Sequence, residues 1–405
     1  MKNAKLVALS CAFLFCSAAS AHDGGPFPRN ATFTTQAITP LAIEGLTGDA
    51  AGNFYTTGRE TPPALCPVWR ITGATLTVVG FIPNPAASPC NPSGIAFDAH
   101  GDLYIADAAS GGNVWRLTPN AAVPPTGTAF ATGVPGTNGL AFDDDGNLWT
   151  GDGTTGNGRV WKIGPAGGAC EGAFTGCVEA FRIQPMRNST ALGGDIAGDG
   201  VGRQARTFPP GTLANNLGGQ DLVANGLAFT RDGDLYVADT ARGAIWKVEF
   251  DRRGNLKTRT GCDTTFTANT LCLDAVFVAH PYLEGTDGIA LDRAGNIWNS
   301  ANERNAIVVV TRDGRVIEIF RNPANAAGLR NSADAAVGNN HILEFPTSPV
   351  LVGKKFCTSQ SDGDRRDNSP RAAGEINAGG AVGTRGKISC MDQELEIPGL
   401  PLPVR

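Results

Sequence analysis

Apolar residues alternate with other residues along much of the chain, in an arrangement that predicts short β-strands. In residues 225–248, NGLAFTRDGDLYVADTARGAIWKV, two alternating apolar runs lie on either side of an Asp-Gly turn, and a third apolar run follows. Alternation with a period of two is typical of half-buried strands, and Asp-Gly between two such runs favours a tight reversal. This segment is therefore predicted to be an antiparallel meander.

This sequence repeat, which we call the phrase, recurs through the chain, and in each copy the turn glycine lies eight residues after the first residue. The other copies begin at Glu44, Ser93, Asn138 and Asp287, and a weaker sixth copy begins at Phe345, eight residues before Gly353. Repeats of this length indicate a β-propeller with one blade per repeat. The predicted fold is all-β: a six-bladed β-propeller of four-stranded antiparallel blades.

The first 21 residues resemble an export signal. Lys2 and Lys5 precede an apolar run, and the segment ends with the small residues Ala19-Ser20-Ala21. A positive region, a short apolar core and an A-x-A site are typical of a cleaved secretory signal peptide. The apolar run is too short to span a bilayer. We expect residues 1–21 to be removed, leaving residues 22–405 as a single propeller domain that is secreted, either periplasmic or extracellular, without a membrane anchor.

Charge argues against two classes of partner. Loss of the signal peptide leaves 31 Lys and Arg against 38 Asp and Glu, a net charge of about −7, and no basic run is present. Nucleic acid and anionic membranes are therefore poor candidate partners. A small molecule is the expected partner.

Cysteine spacing predicts disulfides. Eight of the ten cysteines follow the signal peptide and fall into four neighbouring pairs: Cys66 and Cys90, Cys170 and Cys177, Cys262 and Cys272, Cys357 and Cys390. An even number in an exported chain is typical of disulfide bonds, and local pairs fit local meanders. The alternative, a metal cluster, lacks a C-x-x-C motif.

Two stretches interrupt the repeats. An insertion is predicted at about residues 164–223, and a polar, glycine-rich stretch at about residues 361–385. Both can be surface loops. Alternatively, the first covers one face of the propeller and selects the substrate.

Candidate chemistry lies at the first residue of each phrase, because a propeller places equivalent positions of its inner strands around one axis. The predicted ring contains, in chain order, Glu44, Ser93, Asn138, Asn225, Asp287 and Phe345. Its two carboxylates and two amides are oxygen ligands, which hard divalent cations prefer. The sequence predicts one divalent ion, Ca²⁺ above others, held by Glu44, Asn138, Asn225 and Asp287. Alternatively, such residues before glycine bond only to nearby backbone.

These phrases resemble the gluconolactonase, regucalcin and paraoxonase group of six-bladed propellers. The shared part of these proteins is also called the senescence-marker-protein-like region. In that group, a Glu of the first blade, Asn of the middle blades and an Asp of the fifth blade bind a catalytic divalent ion. Glu44, Asn138, Asn225 and Asp287 match in type and order. The resemblance implies a calcium-dependent hydrolase of a lactone or related ester.

The expected chemistry is polarisation of the carbonyl by the ion and attack by a water near Asp287. His280 and His341 precede two of the phrases and are candidate proton shuttles. Two alternatives remain from the sequence. One is a non-catalytic binding propeller of the NHL kind, which Ser93 in the second phrase favours. The other is a condensing enzyme like strictosidine synthase, or a lyase, on the same fold.

Overall fold

Six antiparallel sheets form the blades of a propeller in the computed structural model, which describes residues 26–28, 31–84, 89–172, 175–185, 222–283, 285–302, 305–321, 342–361 and 385–402. The predicted six-bladed fold is confirmed. Helices within these residues are single 3₁₀ turns at Ala109–Gly111, Leu273–Ala275 and Pro281–Leu283. None of the described helices has the length and apolar character needed to cross a bilayer.

The first half of the chain builds three blades. Strand β1 (Phe33–Thr39) comes first but belongs to the last blade. Blade 1 contains β2 (Thr47–Gly48), β3 (Phe54–Thr57), β4 (Cys66–Thr72) and β5 (Thr75–Ile82). Blade 2 contains β6 (Pro92–Phe97), β7 (Leu103–Asp107), β8 (Asn113–Leu117) and β9 (Thr128–Thr132). Blade 3 contains β10 (Thr137–Phe142), β11 (Leu148–Asp152) and β12 (Arg159–Ile163); the short β13 (Gly168–Ala169) pairs with β9, and β14 (Cys177–Arg182) completes blade 3.

The second half of the chain builds the other three blades. Blade 4 contains β15 (Ala224–Phe229), β16 (Leu235–Asp239), β17 (Ala244–Val248) and β18 (Val276–Ala279). Blade 5 contains β19 (Thr286–Leu291), β20 (Ile297–Ala301), β21 (Ala306–Val310) and β22 (Val316–Arg321). Blade 6 contains β23 (Pro346–Val352), β24 (Lys355–Gln360) and β25 (Gly386–Met391), together with β1. The innermost strands contact one another in order, β2, β6, β10, β15, β19 and β23, and β23 returns to β2.

An aspartate three residues before the turn glycine shapes the inner hairpins of blades 1, 2, 3 and 5. Asp292 shows the pattern: its Oδ1 accepts from the N–H groups of Ala294 and Asn296 at 2.9 Å each, and its Oδ2 accepts from Trp298 Nε1 at 3.2 Å. Gly295 then adopts a φ of 84°, which other residues rarely reach. The carboxylate thus satisfies the turn and fixes the tryptophan of the next strand.

Both ends of the chain contribute to blade 6. Strand β1 pairs with β25 from Phe33↔Met391 to Thr39↔Gly386, and β25 pairs in turn with β24. Strand β1 is the outer strand of blade 6, so backbone hydrogen bonds join the two ends of the chain within one sheet and close the propeller.

The four predicted disulfides are confirmed. They join Cys66–Cys90, Cys170–Cys177, Cys262–Cys272 and Cys357–Cys390. Cys357 and Cys390 lie opposite each other on β24 and β25, so their bond ties two strands of the closing blade. Four disulfides are typical of a protein outside the cytoplasm.

A chain segment near the C-terminus crosses the hairpin end of the central channel. The N–H of Gly399 donates to Gly353 O at 2.9 Å, and the N–H of Leu400 donates to Leu291 O at 3.3 Å. Leu400 and Leu402 line the end of a channel cavity of about 180 Å³, whose walls are mainly apolar residues of the inner strands. A larger cavity of about 1020 Å³ lies on this hairpin face, beside Leu400.

Part of the predicted insertion belongs to the blades. Within residues 164–223, β13 pairs with blade 2 and β14 is the outer strand of blade 3. Residues 186–221 lie outside the described residues, as do the signal peptide and most of the stretch at 361–385.

Candidate metal centre

The candidate metal ligands lie where the innermost strands begin. In blade 4, Ala224 pairs with Asp239, and the pairing then shifts before Leu227, so Asn225 and its glycine lie in an irregularity of the ladder. The same shift surrounds Asn138 in blade 3 and Asp287 in blade 5. Such irregularities redirect side chains, and here they leave each candidate ligand outside the regular strand pairing.

Close packing of glycines brings these positions of successive blades together. A Cβ on Gly94 would lie 2.1 Å from Asn138 O, one on Gly139 2.5 Å from Asn225 O, and one on Gly226 2.5 Å from Asp287 O. The backbones of neighbouring blades therefore touch directly after each candidate ligand, and only glycine permits this approach. The sequence-distant residues Asn138, Asn225 and Asp287 are thus placed on consecutive blades around one opening.

Thr347, rather than Phe345, occupies the sixth position. The register pairs Pro346 with Gln360, as Ala224 pairs with Asp239, and a Cβ on Gly288 would lie 2.4 Å from Thr347 O. The prediction of Phe345 was wrong because the hairpin between β23 and β24 contains two residues instead of five, which shortens the spacing to the turn glycine. The mouth ring, as we call it, therefore contains Glu44, Ser93, Asn138, Asn225, Asp287 and Thr347. The Thr347 hydroxyl donates to Glu44 O at 2.8 Å and joins blade 6 to blade 1.

The close contact between Gly226 of blade 4 and the backbone of blade 5 can be tested directly. An alanine Cβ at Gly226 would also lie 2.7 Å from Gly288 Cα, and these backbone atoms of blade 5 cannot move without disturbing the ring. We expect Gly226→Ala to lower the free energy of unfolding by about 1–3 kcal/mol, the usual cost of overpacking. Chemical denaturation measures this loss. Gly164→Ala is the control, because its nearest atom would be Gly176 O at 3.4 Å; equal stability of both variants would contradict the close packing.

Asp287 is the most unusual ionisable group of the mouth ring. Its side chain is buried, and Asn302 Nδ2 donates to its Oδ2 at 2.8 Å. Burial, followed by the nearby Glu44 carboxylate, raises the pKa of Asp287 well above its usual range, against hydrogen bonds from Asn302, Asn225 and the Gly288 N–H. Two carboxylates therefore lie close enough to repel each other, and a cation between them would relieve this repulsion.

The other predicted ligands have distinct partners. Glu44 forms an ion pair with Arg59 through its Oε2. Asn225 is buried, and its Nδ2 lies 3.3 Å from Thr240 Oγ1. The Asn138 side chain lies over Gly153, where an added Cβ would come within 2.1 Å of its Nδ2.

The donor set fits a hard divalent ion. Glu44 and Asp287 supply two carboxylates, and within the described part of the chain Glu44 alone of the two is paired with a cationic side chain. In addition, Asn302 Oδ1 next to Asp287 is buried and has no hydrogen-bond partner among the described residues. A buried unpaired acceptor beside a buried carboxylate is costly in a protein interior and favours a cation. Among the described residues no three His, Cys, Asp or Glu side chains cluster as a metal site, so amide oxygens have to complete this one.

Of the two histidines proposed as proton shuttles, only His280 belongs to the described residues. His280 follows β18, its Nδ1 accepts from the Tyr282 N–H at 3.0 Å, and its ring packs against that tyrosine. His341 lies outside the described residues. The role of each in catalysis stays a prediction.

Sequence reasoning missed the residues that contact the candidate ligands from the second strand of each blade. These residues follow the ring positions by fifteen in the chain: Arg59 after Glu44, Gly153 after Asn138, Thr240 after Asn225, Asn302 after Asp287. This constant spacing was a usable signal. Asp239, the residue before Thr240, is structural: it accepts from Trp246 Nε1 at 3.0 Å and from Arg242 Nη1 at 2.9 Å.

Three solved structures share the architecture. An aldose sugar dehydrogenase of Streptomyces coelicolor, in its PQQ-bound form, is 15% identical with a TM-score of 0.56, covering 91% of this chain and 100% of its own. A candidate gluconolactonase is 16% identical with a TM-score of 0.52, covering 92% and 95%. A calcium-binding protein, regucalcin, of Agrobacterium tumefaciens is 16% identical with a TM-score of 0.49, covering 93% and 98%. At these identities the similarity shows the fold alone.

Sequence comparison is more specific. No curated protein matches the chain. A family model, however, matches residues 198–328, which include Asn225, Asp287 and Asn302. The resemblance predicted from the repeats is thereby confirmed: the chain carries an SMP-30/gluconolactonase/LRE-like region within its six-bladed propeller.

Proposed function

We propose that the protein is a secreted, divalent-metal-dependent hydrolase that acts on a lactone or a related ester. The observation that carries the proposal is the buried Asp287 carboxylate, which faces the charge of Glu44 and is surrounded by amide side chains at the propeller mouth. The family match over residues 198–328 supports hydrolase chemistry of this type. The four disulfides support export.

The proposed roles follow from the contacts. Glu44, Asn138, Asn225 and Asp287 would hold the ion, and Ca²⁺ suits their oxygen donors best. When bound, the ion supplies Lewis-acid polarisation of the substrate carbonyl. Asn225 and Asn302 hold the Asp287 carboxylate in place through hydrogen bonds.

Asp287 is the proposed general base. Its carboxylate is buried at the mouth and is held by amide side chains, so it is positioned to take a proton from a water beside the ion. Water adds to the acyl carbon of the lactone as Asp287 takes its proton. The ring C–O bond then breaks, and the released alcohol oxygen takes up a proton. Asp287 supplies this proton and is regenerated. The carboxylic acid product then loses a proton, which His280 or His341 is proposed to carry away from the mouth.

Metal removal tests the proposal. Mature protein, purified with its disulfides formed and without chelator, is expected to contain a divalent ion by elemental analysis and to hydrolyse aldonolactones or simple aryl esters. We expect EDTA to abolish hydrolysis and added calcium to restore it. Calcium is added to a boiled sample as the control for uncatalysed opening.

The outcomes separate the candidate functions. Full hydrolysis by metal-free protein would remove the ion from the mechanism. Tight metal binding without hydrolysis of any lactone or ester would favour lyase or condensing chemistry on the same fold. Absence of both metal and hydrolysis would favour a binding propeller.

A further inference from the structure

Asn302 lies beside the candidate ion and belongs to none of the positions that the sequence pattern singled out. It directly follows β20, is 4% exposed, and its side chain contacts Asp287. We propose that Asn302 is an additional ligand of the divalent ion: its Oδ1 coordinates the ion, while its Nδ2 holds the Asp287 carboxylate. This inference rests on the proposed function only in requiring that the mouth ring binds a divalent ion.

The orientation of the Asn302 amide is fixed by its neighbour. With the ion bound, Asp287 is ionised and only accepts hydrogen bonds, so the NH₂ end of the amide has to face Asp287 Oδ2, as it does in the structure at 2.8 Å. The carbonyl oxygen of the Asn302 amide is then the end that does not face Asp287 Oδ2. That oxygen, Oδ1, is buried and meets no hydrogen-bond donor in the part of the chain that the structure describes.

Distances place this oxygen within reach of an ion held by Asp287. The nitrogen and oxygen of one amide are about 2.3 Å apart from their bond lengths. Added to the 2.8 Å hydrogen bond, this puts Asn302 Oδ1 no more than about 5 Å from Asp287 Oδ2. Two oxygens bound to one calcium ion at 2.3–2.6 Å each are at most about 5 Å apart. The upper bound on the distance between the two oxygens therefore permits both to bind one ion.

The chemistry of the ring also calls for a further donor. Calcium takes about six to eight oxygen ligands, and the four predicted ligands leave several positions to fill. Arg59 occupies the equivalent place in blade 1, so that blade supplies a cation where blade 5 supplies an acceptor. Asn302 Oδ1 adds a neutral oxygen on the side of Asp287, where no cationic side chain is paired with the carboxylate in the described residues.

Asn299 provides a matched control from the same strand. It is also buried, its Oδ1 is also unpaired among the described residues, and its Nδ2 donates to Thr286 Oγ1 and, at 3.5 Å, to Gly288 O. It differs from Asn302 in having no hydrogen bond to Asp287 among those described. Replacing Asn299 by leucine thus removes a comparable buried amide without touching the carboxylate.

The experiment measures ion binding rather than activity. Calcium affinity is measured by isothermal titration calorimetry for wild type, Asn302→Leu and Asn299→Leu. Terbium is then bound in place of calcium, and its luminescence lifetimes in H₂O and D₂O count the water molecules on the ion. We expect Asn302→Leu to lower calcium affinity about tenfold or more and to add a water to bound terbium. Asn299→Leu is expected to lose stability but to keep the wild-type affinity and water count.

The water count separates a ligand from a residue that only positions Asp287. Lower affinity of Asn302→Leu with an unchanged water count would mean positioning alone and would overturn the inference. So would wild-type affinity in Asn302→Leu, and this would leave the proposed function intact. If wild-type protein binds neither calcium nor terbium, both proposals fail together. Should Asn302→Leu not fold, Asn302→Ser, which shortens the side chain and retains a polar group, is measured in the same way.

Discussion

Asp287→Asn is expected to abolish most hydrolysis even at saturating calcium. The substitution keeps the shape of the side chain but removes one of two carboxylates and the proposed proton acceptor. Loss of a general base costs about a hundredfold or more in rate. Calcium affinity should fall as well, because half of the carboxylate charge of the ring is lost. The measurement is lactone hydrolysis as a function of calcium concentration.

Asn225→Ala is the comparison that distinguishes ligand from base. Asn225 hydrogen-bonds Asp287 and is a proposed neutral ligand, but it accepts no proton. Saturating calcium should therefore restore much of the rate of Asn225→Ala and little of that of Asp287→Asn. If calcium restores both equally, Asp287 is a ligand only. Misfolding is checked by thermal unfolding without calcium, where Asp287→Asn should be at least as stable as wild type, because it removes a buried charge.

Removal of the Cys357–Cys390 disulfide should cost more stability than removal of Cys170–Cys177. The two bonds span 33 and 7 residues. The chain-entropy relation then gives losses of about 3.7 and about 2.4 kcal/mol. All four cysteines are buried, so replacing each pair by alanine makes similar changes in packing. The free energy of unfolding, from chemical denaturation at equal protein concentration, gives the comparison. Equal losses, or a larger loss for Cys170–Cys177, would contradict the expectation that the Cys357–Cys390 bond, which joins two strands of the closing blade, contributes more stability.

Local sequence patterns predicted the blades because each blade is mostly a local structure. The alternation around Leu227 and Val237 lies within one hairpin, and the glycine eight residues after the ring start lies in the turn of that hairpin. Spacing failed in blade 6, where Gly353 follows Thr347 by six residues and the hairpin is shorter. Strand β1 carries no copy of the phrase, so its place in blade 6 could not be predicted from repeats.

Only part of the candidate site could be predicted from the sequence. Glu44, Asn138, Asn225 and Asp287 are predicted as ligands because they occupy one repeat position, and the glycine contacts show that this position is shared in space for three of them. Arg59 and Asn302 were missed because their position holds a different residue type in each blade. Their roles depend on the side chains that they contact in the fold. An alignment of the repeats, in which the residue at this position differs from blade to blade, does not show those contacts.

The pairing of the two chain ends in blade 6 makes this blade the last to fold. Thr34 hydrogen-bonds Asp392, 358 residues later in the chain. Closing a loop of that length costs roughly 5 kcal/mol in entropy by the logarithmic relation, so β1 has to wait for the rest of the chain. Blades 1 to 5 depend on local contacts and can form early, whereas the last blade forms only after the whole chain has been synthesised. Glu44 and Asp287 face one opening only when blade 6 has joined blade 5 to blade 1. Binding of the ion would therefore report that the circle is complete, and a chain that stops short of closure would lack the complete ion site.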